Sequence, residues 1–282
     1  MPRLTVAVPV YNGATLLAEG LADLRRQTHR DFEVVVFDNA SSDRTNTIAS
    51  AFAAEDKRFR VVRRPLLVSA VENFASALDA CDCDYFAWRA YDDLSAPNFL
   101  EELSRRLDQD PQKDLAVGEV RTLKPHKAPD PVVRRVPGLP NNRLAAALML
   151  MKKAPASWFY GLHRRSRLIK EYPRAVAAIP EAWGTDHLTL FPYLLDGSIA
   201  VSNETYFIQR IIRQAGNTDW SLPTVQAQLE VRRQFRDYCA ARIAASDFDG
   251  LSKAAIRMAL PHYTSLKTFR LTRMLGKALS RS

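Results

Sequence analysis

The fold is decided by Val6-Ala7-Val8-Pro9-Val10-Tyr11-Asn12-Gly13, followed by Phe32-Glu33-Val34-Val35-Val36-Phe37-Asp38-Asn39-Ala40-Ser41-Ser42-Asp43-Arg44-Thr45. Each stretch is a short apolar, β-branched run that breaks off into polar, turn-forming residues, the pattern of a buried strand. The first strand spans residues 4–8 and ends at Pro9; the second spans residues 32–37. Between them, residues 14–27 carry Leu16, Leu17, Leu21 and Leu24, the spacing of one helix face. Working outward, Ser41 or Ser42 caps a helix running to Ala54. A strand at 59–62, a helix at 71–80, a strand at 85–88 and a helix at 99–107 follow. This alternation predicts an α/β chain with a mostly parallel sheet flanked by helices.

In such sheets ligands bind beyond the carboxyl ends of the strands. Residues 9–13, 38–41 and 91–93 occupy those positions. Tyr11 offers a stacking face, Asp38 and Asn39 offer acceptors for a base or ribose, and Asp92-Asp93 offers hard oxygen ligands. Singly, each has a structural explanation as a strand-end aromatic, an Asx turn or a solvated turn. Together, at successive strand ends, they predict a nucleotide-binding edge. The first turn holds one glycine, Gly13, so neither G-x-G-x-x-G nor a P-loop is present. A phosphate site without a glycine cradle needs another positive charge, and Mg²⁺ or Mn²⁺ held by adjacent carboxylates supplies one.

Residues 110–142 are rich in proline and charge and read as long loops over a few strands. Helices are expected at 143–152 and 186–195, the second kinked or ended by Pro192. Separate strands follow at 198–202 and 206–212, then helices at 226–245 and 253–280, the last interrupted near Pro261. The expected organisation is a nucleotide-sugar half (1–110), an acceptor half of the same domain (111–220) and a helical, basic extension (221–282).

A composition of 47% hydrophobic and 25% charged residues excludes disordered and collagenous classes. The three cysteines, Cys81, Cys83 and Cys239, lack zinc-site spacing and suit a reducing cytoplasm. No apolar run approaches the roughly 20 residues of a bilayer span, and no leader-like segment opens the chain. The formal net charge of +9 is concentrated late: residues 251–282 hold seven Lys or Arg and no acid. Leu271, Met274, Leu275, Ala278 and Leu279 form one helical stripe there, beside Arg270, Arg273, Lys277 and Arg281. That pattern fits either a packed helix with a solvated face or an interfacial helix on an anionic leaflet. The first half shows no matching basic and aromatic face, which argues against nucleic acid as a partner.

The run from Val6 to Thr45, with P-V-Y-N-G and D-F-E-V-V-V-F-D-N-A-S-S-D-R-T, resembles family-two glycosyltransferases of the GT-A (Rossmann-like) fold. Residues 85–102, Y-F-A-W-R-A-Y-D-D-L-S-A-P-N-F-L-E-E, resemble that family's metal-binding signature and the helix after it. The resemblance implies that Pro9, Tyr11 and Asn12 form the first nucleotide loop, and Asp38 and Asn39 the second. Asn39 departs from the acid often found there, and an amide both donates and accepts. Asn73, in V-E-N-F, matches a position near the ribose and phosphates. Asp93 matches the metal ligand, with Asp92 its partner or a sugar contact, and Asp186, in G-T-D-H, matches the catalytic base. Read without the resemblance, Asp186 is a helix N-cap. Arg213-Gln214-Ala215 stands where many relatives carry Arg-x-His over the diphosphate, so the histidine is missing.

The implied activity is inverting, non-processive and metal-dependent transfer from a nucleotide-diphosphate sugar to a saccharide or lipid-linked acceptor hydroxyl. The expected setting is polysaccharide or glycoconjugate synthesis in the cytoplasm; the basic C-terminal helix leaves open packing on the domain or peripheral contact with the inner membrane face. The rivals are a nucleotidyltransferase, whose glycine-rich, lysine-bearing first loop is absent, and a non-catalytic nucleotide-binding protein.

Overall fold

The computed structural model describes residues 3–124, 128–136, 138–179, 183–212 and 224–269. The chain divides into two compact units. The first comprises residues 1–137, 160–170 and 199–213; the second comprises 138–159, 171–198 and 214–282.

The first unit begins β1 (Leu4–Val10), α1 (Leu17–Arg25), β2 (Glu33–Asp38), α2 (Thr45–Glu55), β3 (Phe59–Arg63), α3 (Ala70–Asp79), β4 (Tyr85–Trp88), β5 (Leu94–Ser95) and α4 (Phe99–Gln109). β6 (Leu115–Lys124), β7 (Ala128–Arg134), β8 (Leu162–Arg164) and β9 (Ile199–Arg210) complete its sheet. The strand order is β3-β2-β1-β4-β8-β6-β9-β5, with β7 paired to β6. The block β3-β2-β1-β4 is wholly parallel, and β6 and β9 also run parallel. β4–β8, β6–β8, β6–β7 and β5–β9 are antiparallel.

All seven residues of β1 are buried, as expected of a strand covered on both faces. On one face Leu4, Val6, Val8 and Val10 pack in one cluster with Leu17, Leu21 and Leu24 of α1 and Leu100, Leu103 and Leu107 of α4. Each such side chain removed from water contributes about 1.5–3 kcal/mol.

Pro9 does not end the first strand. Ala7 and Pro9 point toward the same neighbour, and the β4 ladder stops at the pair Ala7–Trp88. Pro9 therefore lies past the last rung, where no N–H is required, while Val10 stays paired with Asp38 on the other side.

In the proline-rich middle, read as long loops over a few strands, β6 and β7 pair antiparallel. The two strands expected near 198–212 are one strand, β9, with a register shift opposite Val117 and Glu119. Gly118 permits this: a Cβ there would lie 2.9 Å from the Thr205 carbonyl oxygen in the bulged segment. Ser41 and Ser42 do not cap α2, which begins at Thr45 without a side-chain cap.

The second unit contains α5 (Arg143–Lys153), a 3₁₀ turn (Ala156–Tyr160) whose last residue belongs to the first unit, α7 (Thr185–Asp196), α8 (Val225–Ala245) and α9 (Gly250–Lys267). α6 (Arg165–Ala178), not among the helices expected from the sequence, starts in the first unit and ends in the second. Pro192 and Pro261 both lie inside continuous helices and end neither. Ile256, Leu260 and Tyr263 bury one face of α9, so the first half of the basic segment belongs to a packed core. The apolar stripe at 271–279 lies outside the described residues. Among the described residues, no helix is long and apolar enough to cross a membrane.

Candidate active site

Three strand-end loops of the first unit meet at one edge. Parallel register aligns Val10 with Asp38, and the backbone N–H of Asn39 donates to the Val10 carbonyl at 2.9 Å. The loop after β1 is then stitched to the loop after β2. Asn12 N–H donates to Ser41 Oγ (2.9 Å), Gly13 N–H to Thr45 Oγ1 (2.8 Å), and Ser42 N–H to Asn12 Oδ1 (2.9 Å). These bonds explain why the serines are unavailable as helix caps. Asn12 and Ala40 hold φ of 50° and 55°, a costly region for residues with a side chain, so the stitching over-determines both loops. The third loop joins through Gly13, where a Cβ would lie 2.8 Å from the Tyr91 ring.

Within this edge Tyr11 is 46% exposed and presents its ring to solvent. Asp38 is buried; Oδ1 accepts from Ser41 N–H at 3.0 Å. Its Oδ2 has no hydrogen bond and lies 3.6 Å from Arg63 Nε. Asn39 and Asn73 are both held by the fold. Asn39 Nδ2 donates to the Val68 carbonyl (2.9 Å), and Asn39 Oδ1 accepts from Val68 N–H (3.1 Å). Asn73 donates to the Phe37 carbonyl (3.2 Å) and accepts from Arg64 Nε (3.3 Å). Both amides brace the loops around Asp38.

The acidic pair lies between β4 and β5. Asp93 is buried, with Oδ1 accepting from the backbone N–H of Arg210 at 2.7 Å, while Asp92 is half-buried. Burial, and then the neighbouring Asp92 charge, push the Asp93 carboxyl up to about 7. Burial raises Asp92 as well, partly offset by Arg210. Arg210 donates through Nε to the Asp92 carbonyl and pairs through Nη1 with Glu19.

Among the described residues, no group of three or more His, Cys, Asp or Glu side chains is placed to hold a metal. The pair nevertheless fits a cation that takes the rest of its ligands from a substrate. Two adjacent carboxylates that resist ionising together are relieved by a divalent ion, and Mg²⁺-type sites commonly use one or two carboxylates plus phosphate oxygens.

Asp186 belongs to the second unit. The N-cap of α7 is Gly184, with φ 78°, so Asp186 is not the cap. It lies in the first turn, where Oδ1 accepts from the His187 N–H at 2.6 Å. It lines a cavity of about 390 Å³ with Trp183, His187, Leu266, Lys267 and Thr268. Burial drives the His187 imidazole down to about 4, so it is neutral at pH 7. Arg213 lies outside the described residues. Arg210, Arg89 and Asp23 are not legible in the sequence, because a charged residue carries no local sign that its side chain will be buried; Glu19, the partner of Arg210, is itself exposed.

This architecture is that of a GT-A glycosyltransferase. In solved structures, S. aureus TarS superposes with TM-score 0.68 at 16% identity, covering 96% of this chain and 44% of that one. A TarS 1–349 complex with UDP-GlcNAc gives 0.67, also at 16% identity, covering 96% of this chain and 74% of that one. The mannosyltransferase PcManGT of Pyrobaculum calidifontis, in complex with GDP-Man and Mn²⁺, gives 0.58 at 16% identity over 100% and 76% of the two chains. The sequence profile of Glycosyl transferase family 2 matches residues 5–170, and the chain belongs to that family. It is 29% identical over 116 residues to an uncharacterised glycosyltransferase of Rickettsia typhi, covering 41% of this chain and 35% of that protein. It is 26% identical over 115 residues to glycosyltransferase GlyG of Streptococcus pneumoniae, covering 41% and 38%. The chain thus matches little more than a third of the length of these curated relatives.

Proposed function

We propose that the protein transfers a sugar from a nucleotide-diphosphate donor to an acceptor hydroxyl with inversion, aided by Mg²⁺ or Mn²⁺. The observation that carries this reading is the meeting of residues 11–13, 38–41 and 91–93 at one sheet edge, with an acidic pair whose ionisation is opposed by burial and then by its own proximity. Tyr11 stacks on the base, and Asp38 retains an acceptor for base or ribose. Pro9, Asn12, Asn39 and Asn73 shape the loops that receive the nucleotide. Asp93 and Asp92 would hold the cation, and Arg213 completes the diphosphate contacts.

When bound, a divalent cation supplies positive charge to the departing nucleoside diphosphate. Asp186 accepts the proton of the acceptor hydroxyl as its oxygen bonds to the anomeric carbon. The bond from that carbon to the donor phosphate breaks, and its electron pair leaves with the diphosphate. Trp183 provides an apolar face on which an acceptor sugar can lie beside Asp186. The basic segment beyond Phe269 supports contact with an anionic leaflet, where a lipid-linked acceptor would be presented.

Calorimetric titration of UDP-, dTDP- and GDP-sugars with and without Mn²⁺ tests the reading. At least one donor binds in a Mn²⁺-dependent manner, and Asp93→Ala loses that dependence. Equal binding in EDTA, or unchanged binding in Asp93→Ala, removes the cation assignment; no binding by any donor removes the function.

A further inference from the structure

The acidic turn hangs over a second, buried charge cluster that takes no part in the proposed chemistry. The side chain of Arg89 is 2% exposed, with its guanidinium carbon 5.4 Å from the Phe99 ring centre and 5.2 Å from that of Phe207. Its Nη1 donates to Asp23 Oδ2 at 3.3 Å and its Nη2 to Ser95 Oγ at 3.0 Å. The same Asp23 oxygen accepts from the N–H and the hydroxyl of Ser95, each at 3.1 Å. Gln27 Nε2 also donates to Ser95 Oγ (3.2 Å), so that hydroxyl makes its one donation and both of its acceptances.

Arg89 and Ser95 immediately flank residues 90–94. One carboxylate on α1 therefore grips both ends of the turn that carries Asp92 and Asp93. Between the grips the same helix touches the turn directly: a Cβ on Gly20 would lie 2.4 Å from the Tyr91 carbonyl oxygen. A buried ion pair is a weak device for stabilising a fold, because apolar replacements of similar volume often serve as well. What it supplies is fixed geometry. We infer that the Asp23–Arg89–Ser95 cluster is a positioning device that presets Asp92 and Asp93 for a divalent cation and the diphosphate it bridges. This rests on the reading of the acidic pair as the cation site.

The test separates geometry from stability in the full chain. In Asp23→Leu/Arg89→Met the charges leave together and apolar volume replaces them, so the melting temperature is expected to stay near that of the wild type. Amide exchange over residues 90–95 of the metal-free protein should nevertheless accelerate about tenfold or more. The Mn²⁺ concentration that half-saturates UDP or GDP binding should rise by about 10–100-fold, the usual cost of removing support behind a metal ligand. Ser95→Ala, which deletes one hydroxyl, should move both readouts the same way by less, and it serves if the double variant does not fold. Wild-type exchange across the turn in either folded variant overturns the inference. Faster exchange in a protein whose nucleotide binding never depended on Mn²⁺ supports the positioning role and sinks the cation reading instead.

Discussion

Gly20→Ala sets two effects of one methyl group against each other. Gly20 is buried in the middle of α1, where alanine is worth about 0.5–1 kcal/mol through helix propensity alone. The added Cβ, however, would meet the Tyr91 carbonyl oxygen at 2.4 Å, whereas ordinary contact begins near 3.4 Å. About 1 Å must therefore be found, and the obstacle is backbone, which has no rotamer to turn away. Overpacking of this kind costs about 1–3 kcal/mol. The balance is a net loss of about 1–2 kcal/mol, and each kcal/mol lowers Tm by about 2–4 °C in a chain near this size. The larger consequence is for activity. Tyr91 is the residue before Asp92, so a shift of about 1 Å carries into the acidic pair, and misplacements of that size can cost about 10²-fold in rate. Differential scanning calorimetry and donor turnover should show a modest fall in Tm beside a disproportionate fall in kcat/KM. A variant that melts higher than wild type and turns over normally would show that the contact is soft and the argument wrong.

Asp186→Asn should leave donor binding and Tm intact while lowering kcat by roughly 10²–10⁴-fold, the usual worth of a positioned base; a loss of Tm with turnover per folded molecule retained would reassign it to structure. Because the Asp93 carboxyl is raised to about 7, ionising it opposes folding, so its contribution to stability falls as pH rises from the ordinary carboxylate range through about 7. Mn²⁺ competes with that proton, and the Mn²⁺-induced rise in Tm, measured with nucleoside diphosphate present, should be larger at pH 8 than at pH 6; an equal rise at both pH values removes Asp93 as a ligand. Truncation after Phe269 spares α9 and should reduce low-salt sedimentation with anionic vesicles without changing nucleotide binding; equal sedimentation of both forms refutes the membrane contact.

The parallel block was legible because it is written locally. β1, β2 and β4 are mostly apolar runs, and the polar residues that follow them form the candidate site. Asp92-Asp93 stands out as a candidate because strand ends mark ligand positions in this class of sheet. β6, β7 and β9 were less legible, since proline and charge between residues 110 and 142 mimic loop composition and only long-range pairing reveals the strands. α6 has basic residues in its first turn and Pro173 in its interior, which obscure the face formed by Leu168, Tyr172 and Ala175. The cluster of Asp23, Arg89 and Ser95 could not be read at all, because its members are 72 residues apart at the extremes and meet only after folding. The sequence suggests ligand-facing roles for Asn39 and Asn73, while the amides' bonds to Val68 and Phe37 form only once the loops meet and have no local signature.

The contact between Asp93 and Arg210 is made by the main chain of β9, not by the arginine side chain. A donor of that kind is indifferent to the identity of the residue that carries it, and among the twenty amino acids proline alone lacks it. Sequence drift at position 210 can therefore alter the pairing with Glu19 and Asp92 while leaving the support of Asp93 in place. A one-residue slip of β9 has the opposite effect, preserving every side chain and removing the donor. Part of the acidic centre is thus encoded in strand register, and it is inherited through the bulge opposite Gly118 and not through any residue that an inspection of charged positions would single out.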